Sequence, residues 1–473
     1  MRPLPLLALL TACAPGSGPD ATNTDDTTSS GAPEACAWEA APDLDPSPDV
    51  VEVEFSADMV EWDPGNGTPI DGLGIGGTVP GPRIEVTVGQ TLRVRFHNDL
   101  DMPTTIHWHG LRVPEAMDGI TQMDHPIQPG ETFVYEFPIR DVGFYWYHPH
   151  MDTATTLEKG LYGSIVARAP GEVRPACEQP IVLDDVLTSR ATGQILPPGT
   201  EMDKIMGRLG NILLANGRED RNVGIKAGDV VVLRLVNAAN ARHFDVGIDG
   251  VPMTLVGTDD GFLAEPQTLD RVVLAPGERA IVMFTAPEDV GAELVLMNRR
   301  VHLHEEGGGD THMTETDPLG DGENAVMRFT VLDGGTGATW TPPAYDLPPA
   351  LTAGAPAHTW VLDEDMMGGT VTIDGKSWPD VPTVTVPGEA LTTFEIDNQS
   401  IMRHPFHIHG NRFQVVAIDG QPVEAPAWKD TFPMMPKSQI TIVSQLDNPG
   451  TWMLHCHILE HAEFGMAGLI TVE

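Results

Sequence analysis

The chain has 473 residues, with 68 acidic against 27 basic and a formal net charge of −41 at pH 7. That length gives room for roughly two to four packed cores. The charge argues against nucleic acid or an anionic surface as a partner, since either would be repelled.

In chain order, Met1-Arg2 followed by Leu4 to Leu10 is a short positive end and a short apolar run. It is too short to cross a bilayer, and 1–13 reads as a secretory signal. Leu10-Thr11-Ala12-Cys13 resembles the bacterial lipobox, in which the Cys is acylated and becomes the new N-terminus. An exported chain, held on the periplasmic or cell-surface face by a lipid on Cys13, is expected. An ordinary signal peptide is the alternative. Residues 14–48 are rich in Asp, Thr, Ser, Gly and Pro, lack the side chains for a core, and read as a flexible acidic tether.

Beyond the tether the chain repeats itself. The run from Gly89 to Asn98 recurs as Gly228 to Asn237 and, one residue longer, as Gly388 to Asn398. Each is a β-rich stretch opened by Gly and closed by Asn. A second element follows each one: Pro129-Gly130-Glu131, Pro276-Gly277-Glu278 and Pro436-Lys437-Ser438. Repeats this long mean three related domains, read here as 49–172, 173–335 and 345–473, rather than a solenoid. Short strands broken by Gly and Pro turns predict an all-β fold of three tandem Greek-key sandwiches or barrels.

The candidate metal ligands sit at the ends of the first and third copies. His107-Trp108-His109 and His148-Pro149-His150 belong to the first, His407-Ile408-His409 and His455-Cys456-His457 to the third. Residues i and i+2 of a strand share a face, so each pair can grip adjacent metals. Eight imidazoles suit three copper ions. Cys456 faces away from its two neighbours, and with His404 and His461 it would make a trigonal site with Met466 as a long axial ligand. That is the ligand set of a blue-copper centre. His97, His125, His243, His302, His304, His312 and His358 are read as ordinary histidines. The first copy ends Gly143 to His150 with the Gly-to-His spacing of Gly450 to His457, but Pro149 replaces the Cys. The second ends Gly291 to Asn298 with no His pair and reads as a spacer. The three-metal cluster must therefore lie between the first and third domains.

These four motifs, in this order, resemble the multicopper oxidases: laccases, cuprous oxidases and relatives. The resemblance runs from about Val51 to Glu473 and implies a cupredoxin fold for each domain and four coppers per chain. It implies type 1 copper on His404, Cys456, His461 and Met466, and type 2 copper on His107 and His407. The type 3 pair would sit on His109, His148, His150, His409, His455 and His457. The implied reaction is one-electron oxidation of a phenol or aromatic amine coupled to four-electron reduction of O2 to water. Cys456 with His455 and His457 is the internal electron path. Asp118, in Met117-Asp118-Gly119, matches an acidic residue that relays protons in bacterial members. Those members often carry Glu after the last His ligand; here Ala462 stands there and Glu463 follows.

Several readings stay open at this stage. Cys36 and Cys177 are either a disulfide, favoured by an oxidising compartment, or two free buried thiols. No long Met-rich insert of the cuprous-oxidase kind is visible, which favours phenols over Cu(I) as donor. Met402, the Trp428-Lys429-Asp430 segment (similar to one in bacterial members), Asp363 to Met367 and the His302 to Met313 stretch are weaker hints about the donor side. A metallo-oxidase acting on Cu(I), and a copper-binding or electron-carrier protein without oxygen chemistry, are the alternatives. The chain is expected to act as a monomer.

Overall fold

The computed structural model describes residues 32–120, 125–196, 201–304, 317–365 and 368–473, without the side chains of Glu201 and Met202. The signal and lipid-anchor readings on 1–13, and His312, Met313, Met366 and Met367, lie outside the described residues.

Six sheets pair into three sandwiches. The first sets Ile70–Ile75, Val50–Trp62, Thr91–Asn98 and Thr132–Pro138 against Ile84–Thr87, Gly163–Arg168, Gly143–His148 and His107–His109. The second and third are built in the same way from 177–332 and 356–472. Each is a sandwich of the kind expected from the repeats, with the cupredoxin-like arrangement that the family resemblance implied.

The repeated Asn explains why the copies share a signature. Asn98, Asn237 and Asn398 are fully buried at the end of equivalent strands. Each side-chain amide donates to two main-chain oxygens: Met102 and Ile127, Arg242 and Leu274, Met402 and Met435. Each side-chain oxygen accepts the amide two residues on. The Asn therefore ties its strand to the turn of the second repeated element. The middle residues of those turns, Gly130, Gly277 and Lys437, all have positive φ.

Burial along a strand shows where it sits. In Val50–Trp62, Val51, Val53, Phe55 and Ala57 alternate inward, as in a sheet with one wet face. In Gly143–His148 every residue is buried. Tyr145 and Tyr147 enter the first domain's core. Phe144 and Trp146 pack instead with Val182 and Val236 of the second domain and Leu459 of the third. The strand that carries His148 thus runs through the seam of all three domains.

Among the described residues three short α-helices, α1 (Thr153–Glu158), α2 (Glu201–Met206) and α3 (Leu459–Glu463), and a 3-10 turn at Glu115–Met117 complete the fold. Among the described residues no helix is long and apolar enough to cross a membrane.

One expectation is corrected. The tether read over 14–48 is not loose in its described part. Glu34–Ala35 pairs in parallel with Asn222–Lys226 at the edge of a second-domain sheet. Cys36 is bonded to Cys177, with 5.3 Å between Cα atoms. Ala41 and Leu44 donate main-chain bonds to Arg83 and Glu52 of the first domain. Composition counts core-forming side chains; it does not register a covalent tie or an edge strand held by its backbone.

Candidate metal centre

The first cluster lies at one end of the third domain. Strands His404–Ile408 and Gly450–Cys456 are antiparallel, with Phe406 opposite Cys456 and His407 opposite His455. Cys456 Sγ is 3.5 Å from His404 Nδ1 and 3.7 Å from His461 Nδ1, and the two nitrogens are 3.2 Å apart. All three residues are fully buried. Bonds of about 2.0–2.3 Å to one ion place trigonal donors roughly 3.5–4 Å apart, so the triangle has the size of a metal site.

The far side of each ring is anchored. His404 Nε2 lies 3.0 Å from Glu364 Oε2 and 2.8 Å from Ser400 Oγ. His461 Nε2 donates to the main-chain oxygen of Ile205 in α2, at 2.8 Å. A carbonyl only accepts, so the proton of His461 sits on Nε2 and Nδ1 keeps its lone pair for a metal. Met466, also fully buried, is drawn in by its backbone: its amide donates to His461 and its carbonyl accepts from Cys456. Burial pushes the Cys456 thiol well up, and burial first, then His404, pulls His461 down to about 3. Until a cation binds, the Cys456 thiol and the His461 ring are therefore neutral; binding a cation displaces the thiol proton.

The second cluster is a cage of eight imidazoles across the seam of the first and third domains. His107 lies opposite His148 in the first domain as His407 lies opposite His455 in the third. The domains interleave, with His107 stacked on His409 at 3.8 Å between ring centres and His109 on His407 at 3.9 Å. The ligand atoms of His107, His109 and His148 lie within 4.8 Å of one another, as do those of His107, His407 and His409, and of His150, His409 and His455.

The outer nitrogens are anchored. Asp118 takes one ring from each domain, with Oδ1 3.1 Å from His107 Nδ1 and Oδ2 2.8 Å from His409 Nδ1. His148 and His455 donate Nδ1–H to the main-chain oxygens of Pro149 and Cys456, both at 2.8 Å. The inner nitrogens have no hydrogen-bond partner: His107 Nε2, His109 Nδ1, His148 Nε2, His150 Nε2, His407 Nε2 and both nitrogens of His457. Buried polar atoms are rarely left so. Several converging on one space are what a group of metal ions needs. Burial, and then the neighbouring rings, hold His109, His148, His150, His409 and His457 well below the usual imidazole range, and His455 at about 3. They are neutral and free to ligate.

Every His, Cys and Asp expected at the site is therefore brought to it. His97, beside Thr132, and His358, beside Asp374, enter no cluster among the described residues, and neither does His243. On the side where Ala462 breaks the family pattern, Glu463 is exposed and accepts the Ala154 amide. The buried acid there is Glu460, pushed by burial up to about 7 and hydrogen-bonded to Asn240.

Some contributors were not read from the sequence. Asp430 Oδ1 lies 3.0 Å from His109 Nε2 and 3.4 Å from His407 Nδ1, and Thr431 Oγ1 touches both rings. Glu364, Ser400 and the Ile205 carbonyl orient the rings around Cys456. The His302 to His304 segment is no remote insert, since Leu303 and His302 accept from the Arg403 backbone and side chain beside His404.

Family models described as multicopper oxidase match residues 56–172, 194–309 and 350–473. The multicopper oxidase MmcO of Mycobacterium tuberculosis is 30% identical over 435 residues, covering 85% of this chain and 83% of that protein. The chain belongs to the multicopper oxidase family. Two solved multicopper oxidases are similar to it in structure. One, from Campylobacter jejuni, is described as a metallo-oxidase; it is 25% identical with a TM-score of 0.79, over 93% of this chain and 96% of its own. The other, CueO from Ochrobactrum sp., is described as laccase-like; it is 26% identical with a TM-score of 0.77, over 90% of this chain and all of its own. This multicopper oxidase is thus an O2-reducing oxidoreductase, and copper is the metal that its family and its two clusters imply.

Proposed function

We propose that this multicopper oxidase takes single electrons from a small reductant at the Cys456 pocket and uses four of them, with four protons, to reduce O2 to two waters in the histidine cage. The observation that carries this reading is the position of Cys456: its sulfur completes the triangle with His404 and His461, while its chain neighbours His455 and His457 lie against the cage rings. Copper held by these residues would supply the one-electron chemistry. The ligands would be His404, Cys456, His461 and Met466 for type 1, His107 and His407 for type 2, and His109, His148, His150, His409, His455 and His457 for the type 3 pair.

The protein's own part is positioning and proton supply. Cys456 links the two sites through one residue's backbone in each direction, so no through-space jump is needed. Asp118, held between His107 and His409, is the group through which protons are passed to the cage. Export fits the same reading, because the Cys36–Cys177 bond suits an oxidising compartment; lipid attachment at Cys13 belongs with it.

For the donor, the covered outer nitrogens of His404 and His461 favour a small ion such as Cu(I) over a bulky phenol. A phenol or aromatic amine is the second reading, supported by the lack of a long Met-rich insert in the sequence. Oxygen uptake by the copper-loaded protein decides. One O2 per four Cu(I) without peroxide, faster than with a simple phenol, is expected. No uptake with either donor, or about one copper per chain, sinks the oxidase reading.

A further inference from the structure

We infer that the middle domain is a third wall of the histidine cage, with Arg279 as a positioning residue that holds Asp430, and through it His109 and His407, in place. The inference rests on the three-copper reading of the cage. The middle domain's equivalent strand end, Gly291 to Asn298, has no His pair, but its turn Pro276-Gly277-Glu278 delivers Arg279 to the seam. Arg279 is fully buried. Its guanidinium grips both oxygens of Asp430, at 2.7 and 2.5 Å. Its Nε donates to the Phe144 carbonyl of the first domain, at 3.0 Å. One side chain from the second domain therefore bonds to the first and the third at once.

The surrounding contacts are organised about that pair. Asp259 accepts the backbone amides of Arg279, Asp430 and Thr431 and faces Lys429 Nζ at 3.2 Å; Lys429 also reaches Glu278, at 2.8 Å. The main-chain oxygen of Trp428 accepts from Thr258 and Asp260. Two turns of the middle domain thus clasp the segment 428–431, which brings Asp430 and Thr431 to the rings of His109 and His407. Asp430 lies close enough to both rings to count among possible ligands. Gripped at both oxygens, it is instead committed to accepting from them, which leaves His109 Nδ1 and His407 Nε2 turned inward.

Two glycines make the room. A Cβ on Gly277 would stand 2.9 Å from His457 Cδ2 and 3.1 Å from His109 Cε1. A Cβ on Gly110, next to His109, would run into Arg279 and Asp430. Both have positive φ.

The test compares copper-loaded wild type with Arg279→Gln, Arg279→Lys and Gly277→Ala. The control is Arg242→Gln, a buried Arg of the same domain that pairs with Asp185 and Asp317 and touches no cage histidine. Readouts are copper per chain, the blue band, and the type 2 and type 3 spectral signatures. Arg279→Gln should keep the blue band, shift the type 2 resonance, and hold cage copper about 10–100-fold more weakly against a chelator. Arg279→Lys should recover part of this, since an ammonium meets one oxygen well but not two. Gly277→Ala should change the type 3 signature. Arg242→Gln should lower the melting temperature and leave all copper signals alone. Unchanged cage signals in Arg279→Gln, or equal copper loss in Arg242→Gln, overturns the inference. Should Arg279→Gln fail to fold, unchanged signals in both Arg279→Lys and Gly277→Ala overturn it. Absence of cage signals from wild type would instead refute the three-copper reading itself.

Discussion

The strands Gly143–His148 and Gly450–Cys456 are two versions of one device. The first is buried throughout and the second from Trp452 onward, and each pairs with a strand that carries another His pair, at His107 opposite His148 and His407 opposite His455. In each, the first His of the pair donates Nδ1–H to the next residue's carbonyl at 2.8 Å. They part at the residue between the histidines, Pro149 against Cys456. They part again around it. Three before His107 stands Thr104, where the third domain has His404; four after His150 stands Ala154, where the third domain has His461. The comparison teaches that aiming the cage imidazoles is a property of the shared strand, whereas the electron-uptake site needs three further side chains that only one copy has.

The hardest way to break the comparison is Cys456→Ser. It makes the third-domain strand resemble the first by removing the soft ligand while keeping both histidines. Turnover and blue colour should be lost altogether, with the cage copper retained. A mutant that is still blue would contradict the ligand assignment. The next break falls on the shared half. Asp118 joins a ring of each domain, so Asp118→Ala should lower O2 reduction about 10–100-fold while electron uptake at the blue site continues. Stopped-flow reduction of the blue band, followed by reoxidation with O2, separates the two steps. A normal reoxidation rate would remove Asp118 from proton supply.

What lay open to sequence reading has a common physical cause. The His-x-His pairs, the Cys between two His, and the Gly-to-Asn runs are local, and strand geometry turns local spacing into shared faces. The tie between Cys36 and Cys177 could be named but not decided, because proximity across 141 residues is a tertiary fact. Asp430 and Glu364 were within noted segments, yet a lone carboxylate carries no spacing to interpret. The Ile205 oxygen is main chain and invisible in any sequence. Arg279 was missed for a sharper reason: a domain without metal ligands reads as a spacer, although its turn reaches the rings through a glycine.

The helices that follow the two strands sharpen the comparison further. Each carries a buried glutamate, Glu158 in α1 and Glu460 in α3, and Glu158 is pushed up from 4.5 to about 8, by burial first, against the pull of Arg208 and with Asp185 and Glu460 adding to the rise. An acid raised in the fold is neutral there over a range where the unfolded chain would ionise it. Its contribution to stability is therefore complete below about pH 4.5 and is lost as pH climbs towards 8. Glu158→Gln mimics the neutral form and can still accept the Leu187 amide, now bonded at 2.7 Å. It should melt with wild type near pH 4.5 and on the order of 5 °C above it at pH 8.5. A constant difference across that range would show that Glu158 does not titrate in the fold.

The smallest expected effect is the most direct check on what separates the copies. Pro149→Cys places a thiol between His148 and His150, at the position of Cys456, on a strand with the same register. A single cysteine would suffice for a blue site if the strand alone defined one. It should not, because Thr104 and Ala154 offer no imidazole to complete a trigonal plane, and a lone thiolate binds copper without the His2Cys geometry. The expected blue band per chain is unchanged from wild type. A second blue absorption in Pro149→Cys would show that the strand, and not the surrounding histidines, creates the electron-uptake site.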